Sequence, residues 1–323
     1  LPGIPNLEAV AKIIKKIATE EILTRYNRLK SHEVSDKASG EIVTAADVQS
    51  EYRLVEELTT LMPDSTVVGE EGFNIDKSIM ARFDGDVPVW ILDPLDGTRN
   101  FSEGNPRFCI IVAYCFKKTT YIGWIYDPLN DDMFFAAKGM DAWYNNKPIS
   151  LQGTPKLSDM IGSVGKRRRE YLNSHYGSRN KEVPRQLLRY RCIGLEYVDL
   201  IRGYLHFAEY ENLKPWDHAA GILLHQEAGG YSAYTETLCQ YVPGPASAKQ
   251  FVAAQNQGNW REICDFLKRT YSANIGYEFM HIQIPEQRAW LQVRIEDPAF
   301  HPKYSPATKR ALLQQLTEAE GLE

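Results

Sequence analysis

Apolar residues follow a helical period at the start of the chain and a strand period further on. They recur at three- and four-residue steps over residues 7–29, which predicts an amphipathic helix. Thr44 and Asp47 have the spacing of a capping box, so a second helix is predicted to begin there and to end before Pro63. Short β-branched and aromatic runs then predict a sheet, with strands near residues 66–69, 87–93, 108–116, 119–127 and 132–137.

Helical and extended patterns alternate after a predicted turn at Asn145 and Asn146. They predict helices near residues 195–207, 217–228 and 259–268, and strands near 231–234 and 251–254. We therefore predict three parts: an N-terminal α+β half that binds metal (1–145), a C-terminal α/β half that completes the site (146–268), and an appended tail (269–323). The tail is expected to be mainly helical, since Ser305-Pro306 is typical of a helix start.

Composition excludes collagen-like, largely disordered and multi-span membrane proteins. The 323 residues carry 37 Lys and Arg against 42 Asp and Glu, a net charge of −5, which predicts no direct binding to nucleic acid or to a membrane. The five cysteines are scattered without a CxxC pair, and we interpret them as reduced thiols. The first ten residues lack the pattern of a signal peptide, so a cytoplasmic location is expected.

Carboxylates are concentrated in three segments at the ends of predicted elements. Glu70 and Glu71 follow a predicted strand, Asp93 and Asp96 lie in a tight DPLDG turn after another, and Asp217 begins a predicted helix. Hard divalent cations prefer several carboxylate oxygens and accept a backbone carbonyl, and Mg²⁺ is often completed by a substrate phosphate. A fold that brings these ends together would form a metal site.

Each of these acidic residues also has an ordinary structural explanation when it is considered alone. Glu70 and Glu71 are typical of a solvated turn, whereas Asp217 and Asp47 are typical of helix caps. The combination of the three segments, and no single residue among them, favours the metal site.

Together, these segments resemble the inositol monophosphatase family of metal-dependent, lithium-sensitive phosphatases. The matching motifs are EIVTAAD at 41–47, GEEG at 69–72, DPLDGTRNF at 93–101 and WDHAAGILLHQEAGG at 216–230, and the resemblance covers about residues 7–267. It implies an α+β fold, the layered αβαβα sandwich of the inositol monophosphatase and fructose bisphosphatase type. It also implies a homodimer that hydrolyses a small phosphate monoester with two or three Mg²⁺ ions.

The resemblance further implies roles for individual residues of this sequence. Thr98, Asp47 and Glu70 are expected to be catalytic, with Thr98 and Asp47 orienting and deprotonating the attacking water. The expected metal ligands are Glu70, Asp93, the Leu95 carbonyl, Asp96 and Asp217. The expected substrate contacts are Gly97, Thr98, Glu211 and Asp217.

The sequence departs from the family pattern on the substrate side. The family commonly has a substrate-binding Glu seven residues before the helix Asp, where this chain has Tyr210, with Glu211 beside it. Small residues of the family are replaced by bulkier ones after Gly194. Residues 166–169, KRRR, are interpreted as a solvated loop, with selection of a second anionic group on the substrate as the alternative. His218 is expected to pack or to cap its helix, and not to catalyse.

The last 55 or so residues have a different character. Residues 271–282, 288–296 and 309–323 resemble a segment of the 2-oxoglutarate dehydrogenase E1 subunit. No thiamine diphosphate motif follows, so the resemblance implies no activity and no cofactor for this chain. A natural fusion, a rearranged gene and an engineered fusion are all compatible with this pattern.

These observations predict a Mg²⁺-dependent phosphatase that uses metal-activated water, most simply an inositol-1-monophosphatase. Histidinol phosphate or another small phosphate ester is the alternative substrate, because motifs that hold phosphate say little about the leaving alcohol. A non-catalytic interaction module that binds the transcription machinery or a dehydrogenase complex is the alternative of a different class.

Overall fold

Five alternating layers of helices and sheets make up the fold in the computed structural model, which describes residues 3–37, 40–175, 183–247 and 249–280. The helices are α1 (Leu7–Ile17), α2 (Ala45–Leu61), α3 (Glu70–Ile75), α4 (Thr98–Ser102), α5 (Lys166–His175), α6 (Ile193–Arg202), α7 (Pro215–Glu227) and α8 (Gln257–Met280). A π-helix follows α1 at Ala18–Leu23, and 3-10 helices lie at Ser31–Glu33, Lys77–Asp84 and Leu157–Asp159. The predicted layered α+β fold is confirmed.

The strands form a two-stranded ribbon and two larger sheets. They are β1 (Val34–Asp36), β2 (Ile42–Thr44), β3 (Thr66–Gly69), β4 (Val89–Asp96), β5 (Cys109–Phe116), β6 (Thr119–Asp127), β7 (Asp132–Ala137), β8 (Ala142–Tyr144), β9 (Lys147–Ile149), β10 (Ile161–Ser163), β11 (Gln186–Leu188), β12 (Phe207–Tyr210), β13 (Tyr231–Tyr234) and β14 (Phe251–Ala254). The ribbon pairs β1 with β2, the first sheet has the order β3 to β9, and the second has the order β11-β10-β12-β14-β13.

The first sheet is buried on both faces. β3 and β4 are parallel, and the remaining pairs are antiparallel. Because successive side chains point to opposite faces, Trp90 and Leu92 of β4 pack with α1 and α2, whereas Ile91 packs with α6 and α7 on the other side. A Cβ on Gly123 would lie 2.7 Å from the Ala220 Cα, so glycine allows α7 to lie directly against β6. Burial on both faces explains why β4 and β5 are continuous apolar runs.

The second sheet packs on the face of α6 and α7 that is opposite to the first sheet. Phe251 and Ala253 of β14 face those helices, whereas Val252 and Ala254 face the outer layer. Trp260, Ile263 and Leu267 of α8 pack in that outer layer, as do Tyr171 and Leu172 of α5. The layers are therefore α1 with α2, the first sheet, α6 with α7, the second sheet, and α5 with α8.

Several predicted elements are confirmed and others are corrected. α2 and its Thr44–Asp47 capping box are confirmed, as are the strands at β3, β5, β6, β7, β13 and β14. The helix predicted over residues 7–29 is shorter: the α-helix ends at Ile17, a π-helix continues to Leu23, and residues 24–29 are not helical. The helix predicted to reach residue 207 ends at Arg202, because Gly203 adopts φ +76° and closes it, and β12 follows.

The basic run KRRR at 166–169 is not the predicted solvated loop. It forms the first turn of α5, and the Arg168 side chain is buried there. Its guanidinium donates to both carboxylate oxygens of Glu209 on β12, at 2.8 and 2.7 Å. A basic pattern in the sequence cannot reveal this buried partner 41 positions away.

α8 begins in the second half and extends to Met280, past the predicted boundary at 268. The Arg168 guanidinium also donates to the Leu267 carbonyl and to the Thr270 hydroxyl, both at 2.9 Å, which joins the middle of α8 to α5 within the outer layer. The predicted tail from 281 onward lies outside the described residues, and the three-part division remains a prediction. Among the described helices, none has the length and apolar character needed to cross a bilayer.

Candidate active site

The N-terminus of α2 holds the first part of the site. The Asp47 carboxylate accepts hydrogen bonds from the Thr44 amide at 2.8 Å and from the Thr44 hydroxyl at 2.6 Å, which is the reciprocal half of the capping box. Its second oxygen lies 2.7 Å from the Thr98 Oγ1. Burial raises the pKa of Asp47 to about 7, although the hydrogen bonds from Thr44 and Thr98 oppose the rise. The carboxyl group therefore titrates near neutral pH in the metal-free protein.

The end of β4 supplies the second part. The pairing between β4 and β5 is irregular between Asp93 and Asp96, so both carboxylates lie at the same end of the strand. The Asp93 Oδ1 accepts from the Leu95 amide at 3.1 Å, and the Leu95 carbonyl lies 3.0 Å from the Thr98 Oγ1. Gly97 has φ +90°, and a Cβ there would lie 2.6 Å from the Arg107 carbonyl, so this turn requires glycine.

The start of α3 supplies the third part. Glu70 is the first residue of this helix and follows β3 directly. The buried Glu51 of α2 accepts from the backbone amides of Glu71, at 2.9 Å, and Gly72, at 2.6 Å, so it caps α3 from a neighbouring helix. The Lys37 ammonium lies 2.8 Å from Glu70 and 2.7 Å from Glu71.

Asp217, in the first turn of α7, completes the group. Oxygen atoms of Glu70, Asp93 and Asp217 all lie within 4.8 Å of one another. Burial first, and then the neighbouring carboxylates, raises the pKa of Asp93 and of Asp217 well above its ordinary range. Burial also raises the pKa of Asp96 to about 6. Carboxyl groups at such short separations repel one another when ionised, and a cation between them would relieve that repulsion.

These acidic residues open into a pocket of about 220 Å³. The predicted residues Glu70, Asp93, Leu95, Asp96, Gly97, Thr98 and Asp217 line it, together with Gly40, Glu41, Ile42, Arg99, Arg191 and Lys214. Every predicted metal ligand therefore lines one cavity. The segments that predict metal binding are separated by up to 147 positions, and the fold brings them together.

The donor set suits a hard divalent cation. It consists of carboxylate oxygens and one backbone carbonyl, which are the ligands that Mg²⁺ takes in proteins. Burial and the neighbouring carboxylates both raise the pKa of Asp93 and Asp217, and positive charge placed among these groups would oppose that rise. Two lysines supply part of this positive charge. Lys214 interacts electrostatically with Asp217 and Glu70, and Lys37 forms a salt bridge with Glu70.

One predicted substrate residue lies elsewhere. Glu211 is exposed just after β12 and is not among the residues that line this pocket. Tyr210, at the position where the family commonly has Glu, is buried and packs against the His218 ring at a centroid distance of 4.8 Å. His218 is itself buried, and its Nδ1 lies 3.0 Å from the Tyr197 hydroxyl. Burial lowers the pKa of His218 to about 3, so the ring is neutral and the packing prediction is confirmed.

The sequence interpretation missed Lys37, Glu51 and Lys214. For Glu51 a signal was present: Asp47, Ser50, Glu51, Leu54 and Leu58 lie at three- and four-residue steps and are all buried. The first three are polar, so the buried face of α2 changes from polar to apolar along its length. Polar residues on the core-facing side of a helix often mark a site, because burial without a partner is costly. Lys37 and Lys214 carry no comparable local signal.

Comparisons with known proteins agree with this geometry. Residues 5–264 match the sequence profile of the inositol monophosphatase family. An inositol monophosphatase of Dictyostelium discoideum is 30% identical over 239 residues, which cover 69% of this chain and 82% of the relative. A Nus factor SuhB of Haemophilus influenzae is 31% identical over 235 residues, or 70% of this chain and 84% of the relative. The structure of Thermotoga maritima IMPase TM1415 superimposes with a TM-score of 0.68 at 24% identity, over 83% of this chain and 98% of that one.

Proposed function

Because this chain belongs to the inositol monophosphatase family, and is therefore a phosphoric monoester hydrolase, we propose that it hydrolyses inositol 1-phosphate or a similar small ester with Mg²⁺. The observation that carries the proposal is the convergence of Glu70, Asp93 and Asp217 within 4.8 Å, beside the Thr98–Asp47 pair. A structural acidic cluster would have no need of a hydroxyl–carboxylate pair at its edge.

In this proposal, the metal ligands are the residues that converge at the pocket. They are Glu70, Asp93, the Leu95 carbonyl, Asp96 and Asp217, with two or three Mg²⁺ ions bound. When bound, such ions supply a nucleophile near neutral pH and stabilise charge on the phosphate and the leaving oxygen. The protein contributes positioning, because β3, β4 and α7 hold these oxygens at fixed separations.

Thr98 and Asp47 handle the proton of the attacking water. The Thr98 hydroxyl has one proton, which it donates to the Asp47 Oδ1 at 2.7 Å, and its lone pairs are then directed to accept from a water. Proton transfer through Thr98 would end on Asp47, whose pKa of about 7 suits a base that works near neutral pH. The two hydrogen bonds from Thr44 keep the Asp47 carboxylate in this orientation.

The pocket also carries three cationic side chains, of which Lys214 is paired with Glu41 at 3.1 Å. Arg99, Arg191 and Lys214 line it, in addition to Gly97 and Thr98 at the start of α4. Gly97 and Thr98 are the proposed phosphate contacts, and Asp217 the proposed contact to the leaving alcohol. Glu211, which is outside this lining, is the remaining proposed substrate contact. The guanidinium groups favour an ester with a second anionic group, so a bisphosphate is the second candidate, ahead of histidinol phosphate.

Three further properties belong to the same proposal. By likeness to the family, we expect a homodimer, inhibition by lithium and a cytoplasmic location. Size-exclusion chromatography with light scattering tests the first, and phosphate release at increasing LiCl tests the second.

A role in transcription is the second candidate class. The relative from Haemophilus influenzae that is 31% identical is named a Nus factor, which favours a protein-binding activity beside or in place of catalysis. Two results together would support this class against the hydrolase. The variant Asp93→Asn would still bind the transcription machinery in a pull-down, and the unmodified chain would hydrolyse no phosphate ester.

The decisive experiment is a phosphate-release assay of the full chain on inositol 1-phosphate, histidinol phosphate, fructose 1,6-bisphosphate and adenosine 3′,5′-bisphosphate. We expect release with Mg²⁺ that disappears with EDTA and in the variants Asp93→Asn and Asp217→Asn. Asp141→Asn is the matched control, because Asp141 is exposed and has φ +61°, which Asn adopts equally well. Full activity in both site variants would contradict the proposal.

A further inference from the structure

Two cysteines that lie 83 positions apart meet at Asp96. The Cys109 Sγ and the Cys192 Sγ are 3.7 Å apart. The Asp96 Oδ2 lies 3.3 Å from the Cys192 Sγ and 3.7 Å from the Cys109 Sγ. Both thiols are fully buried and are not joined by a disulfide. Two sulfurs and one carboxylate oxygen therefore form a compact triangle.

The dimensions of this triangle match those of a tetrahedral thiolate site. Zn–S bonds of about 2.3 Å and a Zn–O bond of about 2.0 Å at tetrahedral angles place two sulfurs roughly 3.8 Å apart and each sulfur roughly 3.5 Å from the oxygen. The observed separations are 3.7 Å between the sulfurs, and 3.3 and 3.7 Å from sulfur to oxygen. We propose that Cys109, Cys192 and Asp96 form a binding site for a thiophilic divalent cation such as Zn²⁺ or Cd²⁺.

The fold prepares this site from three elements. Asp96 ends β4, Cys109 begins β5 and Cys192 immediately precedes α6. A Cβ on Gly194 would lie 2.4 Å from the Cys109 Sγ, so only glycine leaves room for that sulfur. The Gly194 amide donates to the Asp96 Oδ2 at 2.6 Å, which holds the oxygen in place and leaves its other lone pair for a cation. The Asp96 carbonyl oxygen, 3.6 Å from the Cys192 Sγ, is a further oxygen within range of the same cation.

The donor set distinguishes this site from the pocket beside it. Thiolates select soft or borderline cations, whereas Glu70, Asp93 and Asp217 present only oxygen and suit Mg²⁺. Asp96 belongs to both groups, since it also lines the pocket. Occupation of the thiolate site would therefore draw Asp96 away from the pocket. This consequence rests on the proposed function, and it predicts inhibition by Zn²⁺ that excess Mg²⁺ relieves, because the two cations compete for Asp96.

The test is a titration of the full chain, stripped with EDTA and kept reduced, with Cd²⁺ alone. Cadmium bound to thiolate has an ultraviolet charge-transfer absorption, so the readout needs no enzymatic activity. We expect this absorption to saturate at one Cd²⁺ per chain and to be lost in Cys109→Ser and in Cys192→Ser. Cys115→Ser is the matched control, because Cys115 is a buried thiol on the same strand as Cys109 and lies outside the triangle. Cys239→Ser controls for the exposed thiol.

The outcomes separate this site from adventitious thiol binding and from the proposed hydrolase activity. Absorption that persists in both site variants, or that is lost equally in Cys115→Ser or Cys239→Ser, would overturn the proposal. Circular dichroism checks that each variant folds. If either serine variant is unfolded, ¹¹³Cd NMR of the unmodified chain tests the site instead. A cadmium nucleus with two sulfur ligands has a chemical shift far from that of one with oxygen ligands alone, so an oxygen-type shift would overturn the proposal. The titration gives its answer even if no phosphate ester is hydrolysed.

Discussion

The Thr98 Oγ1 lies 2.7 Å from the Asp47 Oδ1, although 51 positions separate the two residues. Asp47 caps α2 and Thr98 begins α4, so two helix starts meet at this hydrogen bond. The Leu95 carbonyl, 3.0 Å from the same Oγ1, joins the pair to the end of β4. A hydroxyl held between a buried carboxylate and the cluster of acidic residues is suited to passing a proton from water.

This arrangement predicts that Thr98→Ala lowers kcat by roughly 10²–10⁴-fold, the usual contribution of a positioned proton acceptor. KM should change little, because binding of the phosphate group does not require the proton transfer. Thr98→Ser is the matched variant, since it keeps the hydroxyl, and it should retain most of the activity. Steady-state phosphate release at saturating Mg²⁺ measures both constants. Equal activity of the Ala and Ser variants would show that the hydroxyl takes no part.

The cluster of carboxylates predicts strong stabilisation by Mg²⁺. At a concentration about a hundredfold above its Kd, a ligand adds about 2.7 kcal/mol to the free energy of unfolding, or roughly 4–5 °C in Tm for a chain of this size. Asp93→Asn should raise the Tm of the metal-free protein, because it removes a charge that its neighbours repel, and should abolish the rise with Mg²⁺. Thermal unfolding with and without Mg²⁺ tests this. Asp141→Asn should behave like the unmodified protein, and an unchanged Mg²⁺ response in Asp93→Asn would refute the assignment.

The buried Arg168–Glu209 pair predicts that Arg168→Met destabilises the fold by about 3–5 kcal/mol. Removal of Arg168 takes the cationic partner from the buried Glu209 carboxylate, to which the Gln250 amide still donates, and the middle of α8 also loses its two contacts to the guanidinium. Arg167→Met is the matched control, because Arg167 is the exposed neighbour on the same turn. Urea unfolding measures the difference.

A double variant separates the lost charge pair from lost packing. Glu209→Leu combined with Arg168→Met should recover much of the stability, since no buried charge remains. If Arg168→Met were as stable as Arg167→Met, the pair would contribute nothing.

The same network predicts that a chain ending at Leu267 is less stable than one ending at Met280, because the shorter chain lacks the Thr270 hydroxyl.

His225 predicts a loss of stability in acid. Burial lowers the pKa of His225 from its ordinary value of 6.5 to about 4 in the folded protein. The unfolded chain therefore binds a proton at this residue more readily than the folded protein does. The contribution of this residue is therefore fully present above pH 6.5 and is lost as the pH falls toward 4. The loss amounts to about 1.4 kcal/mol per pH unit.

The raised pKa values of the buried carboxyl groups act in the opposite direction, so the effect of His225 must be measured as a difference between proteins. The free energy of unfolding of the unmodified protein, minus that of His225→Phe, should fall between pH 6.5 and 4. His32→Phe is a control at an exposed position. A difference that is independent of pH would show that His225 is protonated in both states.

The sequence by itself determined most of the elements and indicated a cluster of oxygen ligands able to hold a cation. The capping box and the strand runs are local patterns, so α2, β3 and β5 could be predicted from neighbouring residues, whereas the predicted DPLDG turn was wrong, since Asp93 to Asp96 continue β4 with an irregular pairing. The grouping of carboxylates in three segments indicated a cation site, because hard cations prefer oxygen ligands, and the resemblance to the inositol monophosphatase family implied which of them are ligands. The substrate side was less accessible: Glu211 was expected in the pocket and lies outside its lining.

Only the tertiary structure decided which distant side chains meet. Thr98 reaches Asp47, Arg168 reaches Glu209, and Cys109 reaches Cys192 because layers of helix and sheet pack at separations that depend on every side chain between them. Periodicity reports which face of an element is buried, and it carries no information about the partner on the other side. The KRRR run at 166–169 is an example. Its sequence is typical of an exposed segment, but the Arg168 side chain is buried and paired with Glu209 because α5 packs beside α8.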